Sequence, residues 1–241
     1  MSILVKLSVL LFFVCLWEGR VGASEMEALP LLVRDIQHLM ARDNLAWMGL
    51  GLVAGGVAHQ WDDDISGDIS QNGTVTKIFD LGDRYGSSRN NILAATMAWG
   101  LARASRRPQW VAPTSEVLRA LLLANAVVGP LKVGVRRRRP DGSNRFSFPS
   151  GHSANAFAVT AVLCRRYGLK VGVPLYAFTA TVPLARIDAR RHYLADVVAG
   201  AALGTVAGWA VHPSAELADR AWTLMPTYTR GGARLHGLLS F

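Results

Sequence analysis

The sequence predicts an all-α fold, a helical bundle that associates with a membrane, and three observations support this prediction. Apolar residues make up 51% of the 241 positions and charged residues only 18%, which is a more apolar balance than an average soluble domain has. Apolar residues recur at helical spacing in one segment after another, whereas alternating strand patterns are scarce. Prolines fall at or near the borders of these segments, where proline is tolerated or stops a helix.

The first residues of the chain have the pattern of a secretory signal peptide. Lys6 is followed by the apolar run Leu7–Trp17 and then by small residues before a cleavage point after Ala23. The run holds about 11 residues, fewer than the roughly 20 that cross a bilayer. We therefore expect a cleaved signal peptide over residues 1–23, with an uncleaved amino-terminal anchor as the alternative. Three further parts are expected, namely an amino-terminal helical and loop segment, a main helical domain and a carboxy-terminal tail, at 24–90, 91–212 and 213–241.

The amino-terminal segment is expected to hold two helices and a polar loop. Met26–Met40 has apolar residues on one helical face, and Leu45–Ala58 is an apolar run whose glycines would let a neighbouring helix come close. Trp61–Asp80 is polar and rich in turn-forming residues. Its clustered aspartates, which begin at Asp62, could hold a divalent cation, but their spacing lacks the pattern of a calcium loop. We therefore expect a solvated loop there.

Five further helices are predicted from apolar periodicity, over Asn91–Ala104, Thr114–Val133, Ser153–Arg166, Val171–Ala185 and Tyr193–Val211. Thr114 is expected to cap the second of them. The second has the length of a membrane span but is interrupted by Arg119 and Asn125, so only Tyr193–Val211 is an apolar run of roughly the 20 residues that a span needs. The sequence therefore leaves open whether the bundle lies outside the membrane or is inserted into it.

Cations, imidazoles and a hydroxyl are concentrated between Lys132 and Asp196. They form three clusters, which are Lys132 with Arg139 and Pro140, then Pro149-Ser150-Gly151-His152, and then Arg186, His192 and Asp196. A phosphoryl group in transfer spreads negative charge over three oxygens, and catalysis consists mostly of positioning and neutralising that charge. Guanidinium groups match these oxygens in geometry, and a lysine adds a point charge. The clusters therefore indicate a phosphate-binding site.

Each cluster taken alone also has an interpretation without catalysis, since arginine runs are commonly solvated and an isolated histidine is commonly structural. His192 and Asp196 lie four residues apart, so they share a face if a helix begins by His192. A carboxylate on one imidazole nitrogen would leave the other free to attack phosphorus. His152 follows a turn where backbone N–H groups favour an anion, and it is placed to donate a proton. The three clusters in this order favour a catalytic site.

The three clusters resemble the three-part signature of the type 2 phosphatidic acid phosphatase and vanadium haloperoxidase superfamily. That signature is Lys, six residues, Arg-Pro; then Pro-Ser-Gly-His; then Ser-Arg, five residues, His, three residues, Asp. The resemblance covers roughly Asn91–Val211. It departs at one position, where Ala185 stands in place of the family's serine.

The resemblance implies a helical-bundle phosphatase, at 91–212, that works without a metal or another cofactor. It implies five phosphate-binding residues, Lys132, Arg139, Ser150, Gly151 and Arg186. His192 would form a phosphohistidine while His152 protonates the leaving alcohol, and His152 would then activate water. Asp196 would orient His192. The site would face outside the cytoplasm, in the periplasm or at the cell membrane.

The formal net charge of +9 predicts attraction to anionic partners. Nucleic acid is disfavoured, because the basic residues are not interleaved with a stacking aromatic platform. The expected partners are therefore a lipid phosphate or another phosphorylated small molecule, together with a membrane surface. The run Arg136–Arg138 is hypothesised to attract anionic headgroups or a second phosphate, with a solvated turn as the alternative.

Four classes of function remain open at this point. The first is hydrolysis of a membrane-lipid phosphate or pyrophosphate, such as phosphatidic acid, phosphatidylglycerophosphate, undecaprenyl pyrophosphate or lipid A. The second is a broad-specificity periplasmic acid phosphatase, and the third is a vanadium haloperoxidase with a similar oxyanion pocket. The fourth is a membrane-binding module without catalysis, which the intact His152, His192 and Asp196 disfavour.

Overall fold

The computed structural model of the chain describes residues 28–69, 88–105, 108–212, 223–229 and 232–238. The predicted signal peptide lies outside the described residues. A 3₁₀ helix, His59–Trp61, joins the second and third α-helices. The α-helices and strands, in chain order, are α1 Ala28–Leu39, α2 Arg42–Ala58, α3 Asp62–Ile69, α4 Ser88–Ala104, α5 Pro108–Val135, α6 Gly151–Tyr167, α7 Leu169–Thr179, α8 Thr181–Asp188, α9 Leu194–Ala210, β1 Thr223–Thr229 and β2 Gly232–Leu238.

The prediction of an all-α fold is confirmed, because the body of the described chain is built from packed helices. The structure adds one feature that the sequence did not indicate, a two-stranded antiparallel hairpin within the predicted tail. Strand β1 pairs with β2 in a register that sets Thr223 opposite Leu238 and Thr229 opposite Gly232.

Helix α9 lies at the centre of the bundle and packs against α6, α2 and α5. Three glycines at four-residue spacing form the face of α9 that meets α6, namely Gly200, Gly204 and Gly208. A Cβ atom at Gly200 would lie 2.4 Å from the Ser150 carbonyl oxygen, and one at Gly204 would lie 2.0 Å from that of Ala154. These distances are far below van der Waals contact, so only glycine lets the two helices approach this closely.

Small residues also line the opposite contact of α9, where it meets α2. A Cβ atom at Gly51 would lie 2.3 Å from the Ala202 Cβ, and one at Gly55 would lie 3.1 Å from the Ala195 carbonyl oxygen. The expectation that the glycines of this apolar run let a neighbouring helix come close is confirmed. The amino-terminal segment therefore packs directly on the helix that carries Asp196.

Two of the predicted helices differ from the observed ones at their borders. Thr114 does not cap a helix, because α5 already begins at Pro108 and the Thr114 hydroxyl donates to the Trp110 carbonyl inside it at 2.6 Å. The segment Val171–Ala185 is not one helix but belongs to two, α7 and α8, with a break at Ala180. Pro183 accounts for the break, because it has no N–H group to donate to the carbonyl four residues earlier.

The prediction of a solvated loop from Trp61 is wrong about the loop, because the described residues there are helical, and it is wrong about solvation at Asp62, whereas Asp63 and Asp64 are exposed. Trp61 ends the 3₁₀ helix, Asp62 begins α3, and the Asp62 side chain is only 3% exposed. Its carboxylate accepts a hydrogen bond from the Ala195 backbone N–H at 2.8 Å, so it is buried with partners rather than solvated. Residues 70–80 lie outside the described part. In the described ranges no group of three or more His, Cys, Asp or Glu side chains could hold a metal ion.

One helix of the described chain is long and apolar enough to cross a membrane by length and composition, and it is α5, over Gln109–Val135. The sequence had indicated Tyr193–Val211 instead. The helix there, α9, has 17 residues and falls short of that length. The polar side chains that interrupt α5 have partners inside the protein, since Arg119 pairs with Asp35 and Asn125 donates to Asn155 at 2.7 Å.

The glycine contact between α6 and α9 yields a prediction about stability. Gly204→Ala should lower the Tm of the detergent-solubilised protein by roughly 5 °C, because the added methyl group overpacks the contact and forces the helices apart. The matched control is Gly56→Ala on α2, where a Cβ atom would meet nothing within 4 Å. That change should raise the Tm by about 2 °C through helix propensity alone. Equal effects of the two substitutions in a thermal melt would contradict the role of the glycine face.

Candidate active site

Lys132, in the last turn of α5, is tied to the loop that precedes α6. Its ammonium group donates to the carbonyl oxygens of Phe146 at 2.9 Å and Pro149 at 2.6 Å. The Lys132 stem also lies against Gly151, where a Cβ atom would be 3.7 Å from the Lys132 Cε. The first predicted cluster therefore meets the second one directly.

Ser150 is the N-cap residue of α6 and is fully buried. Its hydroxyl oxygen accepts hydrogen bonds from Ser153, from the backbone N–H at 3.4 Å and from the hydroxyl at 3.1 Å. Its own N–H donates to the carbonyl oxygen of Asp196 at 2.8 Å. The amino end of α6, where unpaired N–H groups and the helix dipole favour an anion, is thereby held against the first turn of α9.

His192 lies in the loop between α8 and α9, and its residue is 2% exposed. The condition under which His192 and Asp196 would share a helical face, a helix that begins by His192, is not met, because α9 begins only at Leu194. The loop brings the two side chains together all the same, with the His192 Nδ1 3.6 Å from the Asp196 Oδ2, just beyond hydrogen-bond distance. The loop is held to α8 by its backbone, since the N–H groups of Arg191 and His192 both donate to the Arg186 carbonyl oxygen, at 3.0 and 3.2 Å.

The Asp196 carboxylate is fully buried and each of its oxygens has a defined partner. Oδ2 accepts hydrogen bonds from the Ser147 hydroxyl at 2.5 Å and from the Tyr193 backbone N–H at 2.9 Å. Oδ1 accepts a hydrogen bond from Arg137 at 2.8 Å. Burial opposes ionisation, but these donors and the nearby His192 hold the pKa of Asp196 below its ordinary value, so it is a carboxylate at neutral pH.

Arg137 is a residue of this site that the sequence analysis did not single out. One of its terminal nitrogens donates to Asp196, and the other donates to the Asp62 Oδ2 at 2.5 Å. Its guanidinium also lies 4.1 Å from the centre of the Tyr193 ring. The hypothesis that the whole run Arg136–Arg138 faces anionic headgroups is therefore wrong for the central arginine. Its two neighbours are exposed, and for them the hypothesis stays a prediction.

No local signal in the sequence could have identified these residues. Arg137 is one of four consecutive arginines, and its partner Asp62 is 75 positions away in a run of three aspartates. Ser147, which donates to Asp196, belongs to no recognisable spacing either. Their roles follow from the packing of α3 and the loop before α6 against the first turn of α9.

Burial and neighbouring cations both act on the two histidines of the site. Burial, with Arg139 and Lys132 adding repulsion, lowers the pKa of His152 to about 4. Burial also lowers the pKa of His192 to about 4, with Lys132 and Arg139 adding repulsion and Asp196 opposing it. Both imidazoles are therefore neutral at pH 7 in the protein without an anion in the site.

The remaining cations are held in low-dielectric surroundings. Burial, and then the Arg191 charge, lower the pKa of both Arg139 and Arg186, in the second case to about 10, so both stay charged at neutral pH. The Arg139 Nε atom is buried and has no hydrogen-bond partner in the part of the chain that the structure describes. A buried guanidinium donor of this kind gains free energy when an oxyanion accepts its hydrogen bond.

The structure brings the three sequence clusters to one place, at the amino ends of α6 and α9. Lys132 contacts Gly151, Ser150 is hydrogen-bonded to Asp196, and His192 lies beside Asp196. Arg139 joins them through its electrostatic effect on both histidines. Arg186 is linked to the third cluster by its backbone, because its carbonyl oxygen accepts a hydrogen bond from the His192 N–H. The arrangement can bind an oxyanion and offers it a buried neutral imidazole.

Residues 114–219 match the family model described as the PAP2 superfamily. Among curated proteins, the chain is 35% identical over 91 residues to a lipid A 1-phosphatase of Porphyromonas gingivalis, which covers 36% of this chain and 20% of the relative. It is 38% identical over 78 residues to a lipid A 4'-phosphatase of Bacteroides thetaiotaomicron, which covers 31% of this chain and 32% of the relative. The chain therefore aligns with a third or less of the length of either relative.

Two solved structures share the fold. One is a transmembrane PAP2-type phosphatidylglycerolphosphate phosphatase of Bacillus subtilis, with a TM-score of 0.60, 21% identity and coverage of 71% of this chain and 94% of the other. The second is LpxE of Aquifex aeolicus, with a TM-score of 0.51, 23% identity and coverage of 61% and 92%. At these identities the likeness concerns the arrangement of helices.

The electrostatics of the pocket yield a prediction about His152. Inorganic phosphate should raise the pKa of His152 from about 4, because a bound dianion offsets the Lys132 and Arg139 charges that help to lower it. Histidine-selective NMR titrations with and without phosphate would measure the change, with the resonance assigned through His152→Gln.

The matched variant for this titration is Arg139→Gln, which removes one of the two cations. It should raise the pKa of His152 in the phosphate-free protein and reduce the further rise on adding phosphate. A pKa that stays the same under both treatments would contradict the placement of the anion beside His152.

Proposed function

We propose, because residues 114–219 match the family model described as the PAP2 superfamily, that this chain is a metal-independent phosphatase of membrane lipids that works through a phosphohistidine. One observation carries the proposal. A neutral, buried His192 lies beside a buried carboxylate, in a pocket where Lys132 and Arg139 supply positive charge. A neutral imidazole is a nucleophile, and adjacent cations stabilise the charge of a phosphoryl group in transfer.

In the proposed first step the Nε2 of His192 attacks phosphorus, and the bond from phosphorus to the leaving oxygen breaks. His152 takes up a proton when the substrate phosphate offsets the Lys132 and Arg139 charges, and it gives that proton to the leaving oxygen. An alcohol then departs, or a phosphate if the substrate is a pyrophosphate. In the second step neutral His152 takes a proton from water while the water oxygen attacks the phosphohistidine. The phosphorus–nitrogen bond then breaks and inorganic phosphate is released.

The remaining site residues have supporting roles in this proposal. Lys132, Arg139 and Arg186 bind the phosphate oxygens together with Ser150 and the Gly151 N–H. Arginine forks and helix amino-terminal N–H groups are suited to that task. Asp196 stays ionised and stabilises the positive imidazole ring that forms when His192 bonds to phosphorus. The family position of a serine is taken by Ala185, which is 3% exposed, so its side chain offers the phosphate no hydroxyl.

Lipid substrates are favoured by the surface of the bundle and by the relatives. Large apolar side chains are exposed on α2, α4 and α7, including Leu50, Val53, Leu101 and Val173 at 55 to 66% exposure. Exposed apolar surface of this extent marks contact with a membrane or another protein. The curated relatives are named for lipid A, and one solved structure is named for phosphatidylglycerolphosphate. We propose a periplasmic or outward-facing site at the cell membrane, as the predicted signal peptide also indicates.

A second candidate is a broad-specificity periplasmic acid phosphatase. It is favoured by helix length, since α2, α4, α6 and α9 have 17 residues each, fewer than the roughly 20 that a span needs. The two candidates differ in whether lipid phosphates are much better substrates than small aryl phosphates.

The proposed function predicts a specific enzymatic activity. The purified, detergent-solubilised protein should release phosphate in EDTA from phosphatidic acid, phosphatidylglycerophosphate or lipid A, with kcat/KM at least about 10-fold above that for a small aryl phosphate. His192→Ala should lower kcat by at least about 10³-fold, because it removes the nucleophile. Phosphate release would be measured by a colorimetric assay.

The comparison of substrates decides between the candidates. Similar kcat/KM values on lipid and aryl phosphates would favour the broad acid phosphatase. A His192→Ala variant with wild-type kcat would overturn the phosphohistidine mechanism. Release that requires added metal would contradict metal independence.

The low pKa of His192 yields a prediction about pH. Lowering the pH protonates His192 and removes its nucleophilic lone pair, and its pKa is about 4 rather than 6.5. The kcat/KM, which reports the free enzyme, should therefore not fall as the pH is lowered through 6.5, since protonation of the acid His152 acts in the opposite direction, and it should drop only below about pH 4. A drop that begins near pH 6.5 would contradict a neutral, buried nucleophile.

A further inference from the structure

Two charged residues outside the recognised signature, Arg137 and Asp62, form a chain of contacts that ends at the candidate nucleophile. Asp62 accepts from Arg137 at 2.5 Å, Arg137 donates to the Asp196 Oδ1 at 2.8 Å, and the Asp196 Oδ2 lies 3.6 Å from the His192 Nδ1. The chain runs from α3, through the loop before α6, to the first turn of α9. Asp62 lies outside residues 114–219, so the amino-terminal segment reaches the site.

The geometry of the Asp196 carboxylate gives Arg137 a specific task. A carboxylate can rotate about its last bond, and its two oxygens are equivalent until partners distinguish them. Arg137 donates a hydrogen bond to Oδ1, while the Ser147 hydroxyl and the Tyr193 N–H donate hydrogen bonds to Oδ2. With Oδ1 occupied, Oδ2 faces His192.

Arg137 also compensates a buried charge. The Asp196 side chain is fully buried, and an ionised carboxylate is stable there only with an opposite charge and hydrogen bonds. Lys132 and Arg139 also lie close enough to act electrostatically on Asp196, but Arg137 makes the direct contact. Arg137 is therefore the direct counter-charge of Asp196.

Asp62 in turn holds Arg137 in place. Its Oδ2 accepts from Arg137 and contacts the His59 Nδ1 at 2.5 Å, and its Oδ1 accepts the Ala195 backbone N–H at 2.8 Å. The last contact satisfies an N–H group of the first turn of α9, which has no partner within its own helix. The guanidinium is further confined by the Tyr193 ring, 4.1 Å away.

We propose that Arg137, clamped by Asp62, is a positioning residue that orients Asp196 and through it the His192 imidazole. The inference rests on the proposed function, because the role is defined by the attack of His192 on phosphorus. It adds to that function a requirement for the amino-terminal segment. Neither residue touches the phosphate in this proposal, so the substitution effects should fall on kcat rather than on phosphate affinity.

The test uses the full-length, detergent-solubilised protein and the lipid phosphate that the wild type hydrolyses fastest among phosphatidic acid, phosphatidylglycerophosphate and lipid A. Arg137→Ala should lower kcat by about 10²-fold, the size expected for a misplaced reacting group. KM and the inhibition constant of inorganic phosphate should stay within about 3-fold, since the phosphate-binding cations are intact. The matched control is Arg145→Ala, an exposed arginine of the same loop, which should keep wild-type kcat.

Two further measurements separate positioning from a loss of structure. Guanidinium chloride at millimolar concentration should restore kcat of Arg137→Ala at least about 10-fold, because the site is 20% exposed and can admit the free cation. Asp62→Asn should lower kcat by about 10-fold. The double variant should lose no more than Arg137→Ala alone, because Asp62 acts through Arg137.

The outcomes are distinct. Wild-type kcat in Arg137→Ala, a joint loss of kcat and phosphate affinity without rescue by guanidinium, or additive losses in the double variant would each overturn the positioning role and leave the proposed function standing. A wild type that releases phosphate from none of the three lipids overturns the proposed function, and the positioning role with it. Loss confined to kcat, with rescue and without additivity, supports both.

Discussion

The close approach of α6 and α9 is the constraint on which the rest of the site depends. Gly200, Gly204 and Gly208 place no Cβ atom where the α9 backbone lies against the α6 backbone. The amino end of α6 can then hydrogen-bond to the first turn of α9, from the Ser150 N–H to the Asp196 carbonyl oxygen. A methyl group at Gly200 would collide with the Ser150 carbonyl, so helix packing and the position of the anion-binding turn are inseparable.

Charge is organised around this contact in two layers. In the inner layer Asp196 forms an ion pair with Arg137. In the outer layer Arg137 forms a second ion pair, with Asp62. Among the described contacts no carboxylate pairs directly with Lys132 or Arg139, and the Arg139 Nε has no hydrogen-bond partner there. Their repulsion and the burial of the site keep His152 and His192 neutral at pH 7. A phosphate dianion would relieve the repulsion, so binding and proton affinity are coupled in this pocket.

The described segment before residue 114 packs together with the helices of the part that matches the family model. Gly51 and Gly55 let α2 pack closely on the outer face of α9, and Asp62 reaches the Ala195 N–H and Arg137. The helix that carries Asp196 is therefore held on two sides, by α6 and by α2. Bundles packed through small residues in this way are characteristic of helices that associate in or on membranes.

Features that depend on neighbouring residues could be predicted from the sequence, and features that depend on residues far apart in the chain could not. Helical periodicity and proline placement are properties of neighbouring residues, so the all-α class and the approximate helices were predictable. Thr114 and the segment Val171–Ala185 were assigned wrongly, because helix borders depend on single prolines and on packing. Neither a metal site nor a solvated loop describes Asp62. Its partners, Arg137 and the Ala195 N–H, are 75 and 133 positions away in the sequence, so no local pattern could indicate them.

The sequence by itself determined the helical class and the chemical groups of the candidate site. Three short clusters contain the two histidines, Asp196 and the cations proposed to bind phosphate. Only the tertiary structure decided which arginine of the run Arg136–Arg138 joins that site beside Arg139. It also decided which of three consecutive aspartates binds that arginine. Identical neighbours in a chain are chemically equivalent until packing directs one of them inward, and that direction is set here by the approach of α3, the loop before α6 and α9.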